Sequence, residues 1–348
     1  MGRVAKKVLM SKPAGGVVST ALTKGVIMGT NDATGIDIET LGSMSFENNV
    51  VNSALNIGYD SSVDASRALA FFCNPIADTL ACVDFSDVTN VSVVDTIVDS
   101  TNLDFTRGVK VDSANEVVFA TGQSPNAFNA IDYSTPSSLS IISTLTLAVT
   151  PDRIELDVAR DTAYVKAGGR ILSINISNTS SMSVRETYIN SSVVNTAGGL
   201  AIDTGRNLLF GSSFSGDNIA VFNTSNVAAI ALISNLSDGT NLNQITNITV
   251  DKDKELAFCL GLDLLSVVDY SNTSSLSIED TVSNTAFGGG SSRSVRIDPA
   301  RELVFIAARS ETPNVFVYDY SDPTSLTLTE TITGTSATTN GGMLVLAN

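Results

Sequence analysis

Residues 264–282 read LLSVVDYSNTSSLSIEDTV, and the chain repeats this phrase closely as AFNAIDYSTPSSLSIISTL over 127–145 and VFVYDYSDPTSLTLTETI over 315–332. Aligned on the Asp-Tyr-Ser core, six copies appear, at Asp84, Asp132, Asn175, Asn223, Asp269 and Asp319, with steps of 48, 43, 48, 46 and 50 residues. A second phrase travels with the first: VKVDSANEVVF, IELDVARDTAYV, LAIDTGRNLLF, ITVDKDKELAF and VRIDPARELVF place Asp at 112, 157, 203, 251 and 298. A period near 47 residues with several short strands per unit is the pattern of a β-propeller.

Each unit divides into four strands, as the last one illustrates. VRID is strand a, DPAR a tight turn, ELVFIA strand b, VFVYD strand c, YSDPTS a second turn and LTLTETI strand d. Apolar residues alternate along a, c and d, and Pro, Asn, Asp, Ser and Gly collect between them, where turns need them. Strands of type b recur near Val26, Leu69, Val117, Ala163, Leu208, Leu256 and Leu303, which makes seven. The sequence therefore predicts an all-β chain, with one seven-bladed propeller of four-stranded blades over 23–348 behind a basic N-terminal arm, 1–22. The first blade has b, c and d in GVIMGT, GIDIET and SMSFENN. Its innermost strand is expected from the C-terminal GGMLVLAN, so that N- and C-terminal strands pair and no free sheet edge remains. A competing alignment puts Gly16–Thr20 in that position.

Composition limits the partners. The formal net charge is −16, yet Arg3, Lys6, Lys7, Lys12 and Lys24 make the first 24 residues +5, which leaves −21 on the remainder. An acidic body repels phosphate backbones, so no nucleic-acid partner is expected for the propeller. No apolar run reaches 18 residues, so no membrane span is expected, and no secretory h-region follows the basic start. Cys73, Cys82 and Cys259 make neither a disulfide framework nor a zinc site; Cys73 and Cys82 could face each other across one hairpin, or be two small apolar strand residues.

The phrase LLSVVDYSNTSSLSI resembles the LVIVD repeat, and the resemblance covers roughly 26–348. That family's repeats form propeller-like domains, often in surface-associated proteins of bacteria, archaea and their viruses. It has no common catalytic set, so the resemblance implies a fold and no reaction. Asn175 and Asn223 at the Asp position, and few prolines after the turn, depart from its pattern.

The chain has no histidine, which removes the usual general base and the commonest transition-metal ligand. Asp60, Asp112, Asp157, Asp203, Asp251 and Asp298 are expected on one face, where a ring of carboxylates could hold a cation. Arg160, Arg206, Lys254 and Arg301 follow four of them at three residues, which favours simple turn chemistry over a metal site. The opposite face carries the variable loops, where Asn126, Phe214, Asp217, Arg309 and Glu311 are the binding candidates. No cofactor or metal is expected. The reading adopted from these features is a non-enzymatic structural or binding protein of a virion (capsid decoration, fibre or receptor-binding subunit). Arg3, Lys6, Lys7 and Lys12 would anchor it to other virion proteins, in an assembly that could include further copies of itself, and its loops would meet a host receptor or glycan. The alternatives are a lactonase-like propeller hydrolase that uses carboxylates and a metal, and a cellular surface or extracellular LVIVD-repeat protein.

Overall fold

The computed structural model describes residues 20–29, 31–55, 58–195, 198–287, 294–308, 315–333 and 343–348. The arm residues Arg3, Lys6, Lys7 and Lys12, and the loop residues Arg309 and Glu311, lie outside these ranges. Seven four-stranded antiparallel sheets are present, the blades of a β-propeller. In blades 2 to 7 the innermost strands a are Ser61–Asp64, Val109–Asp112, Pro151–Asp157, Leu200–Asp203, Asn247–Asp251 and Ser294–Asp298. In blade 1, strand a is the C-terminal Met343–Ala347, paired antiparallel with Lys24–Met28 from Lys24↔Ala347 to Met28↔Met343. C-terminal closure is thus the arrangement adopted, and it gives every inner strand a sheet of its own.

The blades pack face to face, and the core is correspondingly divided. Seven apolar clusters occupy the seven junctions between neighbouring blades. Strands b and c are buried on both faces because each is sandwiched between two blades, which explains their continuous apolar runs. In every blade the pairing of c with d is interrupted by one register shift, for instance between Val267 and Val268. Such bulges increase the local twist, and they fall at the same place in each blade.

The repeated phrase has a local and a tertiary role. The Oδ1 of Asp84, Asp132, Asp269 and Asp319 accepts the N–H two residues on, at 2.6–2.8 Å. Asn175 and Asn223 do the same at 3.2 and 2.8 Å. Only an acceptor oxygen is needed for this turn, so Asn substitutes for Asp freely. The tyrosine that follows reaches the preceding blade. Tyr133 donates to Asp64 (3.0 Å), Tyr270 to Asp203 (3.2 Å) and Tyr320 to Asp251 (2.9 Å). Each ring also packs on a strand b phenylalanine of that blade, Phe71, Phe210 or Phe258, at 4.7–4.8 Å between centroids. A cation from the same a–b turn, Arg67, Arg206 or Lys254, covers the ring's other side at 4.4–5.6 Å and pairs with Glu116, Glu255 or Glu302 of the next blade.

Ala347 stands where the other inner strands carry Asp, and the ring that packs against it is Phe85, which has no hydroxyl to satisfy. Lys24 still lies over that ring at 6.0 Å. The series of turn aspartates is therefore Asp64, Asp112, Asp157, Asp203, Asp251 and Asp298. Asp60, expected among them, stands at the opposite end of its strand. Cys73 and Cys82 are not cross-strand partners either: Cys73 opposes Leu80 and Cys82 opposes Phe71. All three cysteines are free and buried, and burial pushes the Cys73 and Cys82 thiols up to about 12.

Tyr320→Phe should cost about 1–3 kcal/mol by stripping a donor from a buried carboxylate, and Phe85→Tyr should cost a similar amount by burying a hydroxyl opposite Ala347; urea midpoints measure both. Asp64 gives a pH signature. Burial alone raises its pKa, but hydrogen bonds from Ser66, Arg67 and Tyr133 outweigh burial and hold it below the usual 3.8. Its folded pKa is depressed, so its stabilisation is complete above 3.8 and is lost as pH falls through the lower folded value. Tyr133→Phe should weaken that acid-range loss, read as a flatter fall of melting temperature with acidification.

Candidate active site

The seven inner strands surround the propeller axis, and the position two residues before the turn aspartate, or before Ala347, recurs in each. That ring of positions holds Val345, Ser62, Lys110, Glu155, Ala201, Thr249 and Arg296. Within otherwise apolar strands, three charged side chains thus converge on one level of the axis. Above them, at the strand entries, stand Asp60 and Arg153. Together with Lys252 lower down, these residues line an axial cavity of about 440 Å³.

The charges are only partly compensated. Lys110 Nζ pairs with Glu155 Oε1 at 3.0 Å, and Arg153 Nη1 with Asp60 Oδ1 at 3.6 Å. Asp60 is itself held by the N–H groups of Ser61 (2.9 Å) and Val109 (3.3 Å). Arg296 donates to the carbonyl (3.2 Å) and hydroxyl (3.0 Å) of Ser61, and to the Val295 carbonyl (2.9 Å). Among the described residues, neither Arg296 nor Lys252 has a carboxylate within ion-pair distance. Four cations against two carboxylates make the cavity a cationic well in a chain of net charge −16. Burial lowers the pKa of Arg296 and raises that of Glu155, the latter against the pull of Lys110. A carboxylate that holds its proton more tightly than usual, near a guanidinium with no direct ion-pair partner among the described residues, is suited to pass a proton at a carbonyl centre.

A further cation stands just outside the cavity wall. Lys166, in strand b of blade 4, is fully buried, and its amine has no hydrogen-bond partner among the described residues. The corresponding residues in blades 3 and 5 are Thr121 and Ser212, whose hydroxyls accept the N–H of Gly108 (2.8 Å) and Gly199 (2.7 Å). Burial lowers the Lys166 pKa to about 7.

Of the sequence-derived candidates, Asn126, Phe214 and Asp217 lie at the b–c turns on the face where Asp60 and Arg153 begin the cavity, and none lines it. They make hydrogen bonds between turns: the Asn126 carbonyl accepts from Leu147 N (2.8 Å), Phe214 N donates to Asn195 (3.1 Å) and Asp217 accepts from Gln244 N (2.9 Å). The turn aspartates do not converge as a metal ring; Asp64, Asp157 and Asp298 are each hydrogen-bonded by the arginine three residues on, at 2.6–2.9 Å. Among the described residues no group of three or more Cys, Asp or Glu is placed to hold a metal ion. Lys110, Glu155, Arg153 and Arg296 were not singled out from the sequence. The signal was available: VKVD, IELD and VRID put a charge at the same repeat position of strand a.

No family model matches the sequence, and no curated protein matches it. Solved structures do. A Desulfotomaculum acetoxidans protein of unknown function superposes with TM-score 0.76 at 13% identity, covering 94% of this chain and 99% of that one. The Pseudomonas aeruginosa periplasmic gluconolactonase gives 0.74 at 10%, covering 94% and 99%. A Bacteroides fragilis protein provisionally assigned as a 6-phosphogluconolactonase gives 0.75 at 10%, covering 94% and 98%. At this identity the likeness shows the fold. The expectation of a non-enzymatic virion component is nevertheless overturned: the neighbours favour the lactonase-like alternative, and the axis carries acid–base groups that the sequence reading had missed. No helix among the described residues is long and apolar enough to cross a membrane.

Lys166 yields a test of the site's electrostatics. Its folded pKa of about 7 lies below the unfolded 10.5, so the unfolded chain binds the extra proton between those values and stability climbs with pH across that window. Lys166→Met should flatten that climb and raise stability at pH 7 by roughly 2–4 kcal/mol, measured by denaturant titration at pH 7 and 10.

Proposed function

We propose that this propeller is a lactone hydrolase working in the axial cavity. The observation that carries the reading is the half-buried Lys110–Glu155 pair with Arg296, which has no direct ion-pair partner among the described residues, all three lining one axial cavity. Glu155 takes a proton from a water whose oxygen attacks the lactone carbonyl carbon. Arg296 faces the oxygen on which negative charge develops, where a fixed cation in a water-poor site is most effective. The ring carbon–oxygen bond then breaks, and Glu155 returns the proton to the departing ring oxygen. The product is an open hydroxy acid, whose carboxylate meets the cationic wall. Lys110 orients Glu155 and keeps enough of it ionised to act as base, against the burial that protonates it.

The gluconolactonase and 6-phosphogluconolactonase names among the structural neighbours support sugar-acid lactones as the first substrates to try. Glucono-δ-lactone and simple γ- and δ-lactones, followed by pH-stat against the spontaneous rate, provide the assay. Glu155→Gln and Arg296→Met should each lower kcat about 100-fold or more. Because the Glu155 pKa is raised from 4.5, the enzymic rate should climb with pH through that higher value. Hydrolysis no faster than the background across the panel, or full activity in Glu155→Gln, would overturn the assignment.

A further inference from the structure

The entry of the axial cavity carries more positive charge than its carboxylates balance. Arg153 lines the cavity there and is only 8% exposed. Its Nη1 donates to the Tyr59 carbonyl and lies 3.6 Å from Asp60 Oδ1. Asp60 shares its charge between that guanidinium and the N–H groups of Ser61 and Val109. Arg107 approaches Asp152 Oδ1 only to 3.9 Å, and its Nε is buried without a hydrogen-bond partner. Behind these stands Lys166, fully buried, whose amine has no hydrogen-bond partner among the described residues. It fits there because Gly198 has no side chain: a Cβ at that position would lie 2.6 Å from Lys166 Nζ. The charges that act on Lys166 are those of Asp152 and Arg153. Three cations, Arg107, Arg153 and Lys166, are thus set against two carboxylates, Asp60 and Asp152, and the group is one negative charge short. A ligand anion on Arg153 would supply that charge and favour the protonated form of Lys166.

We infer that the cavity entry is a subsite for a free carboxylate of the ligand, bound by Arg153 and balanced by Lys166, so that the substrate is a sugar-acid lactone carrying a second, unesterified carboxyl group. The lactone part of this inference rests on the hydrolase reading, while the preference for a carboxylate is a matter of binding alone. Arg153 and Glu155 are two residues apart on the strand Pro151–Asp157, and both line the cavity. They stand about 7 Å apart along that strand. A compact lactone with its carbonyl at one end and its carboxylate at the other spans a comparable distance. One excess positive charge matches a carboxylate better than the double charge of a phosphate ester. With a pKa of about 7, Lys166 is mostly neutral at pH 8 in the free protein. A carboxylate bound nearby raises that pKa, so binding at pH 8 takes up a proton.

The test uses the full chain. Methyl glucuronide and methyl glucoside differ only in carboxylate against hydroxymethyl and contain no lactone to open. In titration calorimetry at pH 8, the glucuronide should bind about tenfold or more tightly. Repeating the titration in HEPES and in Tris, whose ionisation enthalpies differ, should show proton uptake with the glucuronide and none with the glucoside. In the pH-stat, kcat/KM for D-glucaro-1,4-lactone should exceed that for D-glucono-1,4-lactone about tenfold or more. Arg153→Gln should bring both ratios close to one. Lys166→Met, which removes a buried group with no hydrogen-bond partner and should fold, provides the independent variant: it should abolish the proton uptake and reduce both ratios. If the glucuronide binds no better than the glucoside and gluconolactone is opened as fast as glucarolactone, the inference is overturned and the hydrolase reading survives. If the glucuronide is preferred with proton uptake while no lactone is opened, the subsite stands and the hydrolase reading fails. Tighter binding of glucose 6-phosphate than of the glucuronide, or a preference and proton uptake unchanged in Lys166→Met, also overturns the inference.

Discussion

A buried hydrogen bond from a tyrosine of one blade to the turn aspartate of the blade before it ties three of the seven junctions of this propeller. Asp64, Asp203 and Asp251 are almost wholly removed from water, and a carboxylate in that state is tolerated only when donors surround it. The donors come from two sources: the turn's own backbone or arginine, and the hydroxyl of Tyr133, Tyr270 or Tyr320 in the next blade. A blade that slid relative to its neighbour would strand the carboxylate. At those three junctions the tie fixes the register of one sheet against the next, which apolar packing alone specifies poorly. Where the carboxylate is missing, at Ala347, the hydroxyl is missing too, at Phe85, so the junction closes with apolar contact and no orphaned group.

That register has a consequence at the axis. Once all seven inner strands stand at one height, side chains two residues before the turn meet at one level. Two of these positions, Val345 and Ala201, belong to the junction cores, and the others include the charged residues of the axis. Lys110, Glu155 and Arg296 occupy three of them, with Asp60 and Arg153 at the entries. The cavity's excess of cations comes from a chain otherwise strongly acidic, so its local field opposes that of the outer surface and favours anionic or carbonyl-bearing ligands.

Much of the fold was legible because the propeller is written as a repeated local pattern. Turn residues such as Asp269 and Asn175 act within two residues of themselves, so their effect can be read along the chain. Strand alternation and the seven b strands likewise need only neighbours in sequence. Asp60 was misplaced because blade 2 has two candidate aspartates four residues apart, and only the pairing of Ser61–Asp64 with Leu69–Phe72 shows which one ends the strand. The virion reading failed for a related reason. With no histidine present, acid–base chemistry looked absent, yet carboxylates, lysine and arginine can supply it once burial shifts their proton affinities. Burial is not visible in Glu155 or Arg296 as letters.

The sequence by itself determined the number of blades, their four-stranded build and the turn chemistry, while the choice of closing strand, left between two termini, was decided by the structure. The first three depend on periodicity and on residues close in the chain. The tertiary structure alone decided which charges meet. Lys110 and Glu155 come from adjacent blades 45 residues apart, and Arg296 reaches Ser61 from 235 residues away. Such encounters are set by the closure of seven sheets around one axis, and only there does burial shift the proton affinities of Glu155 and Arg296.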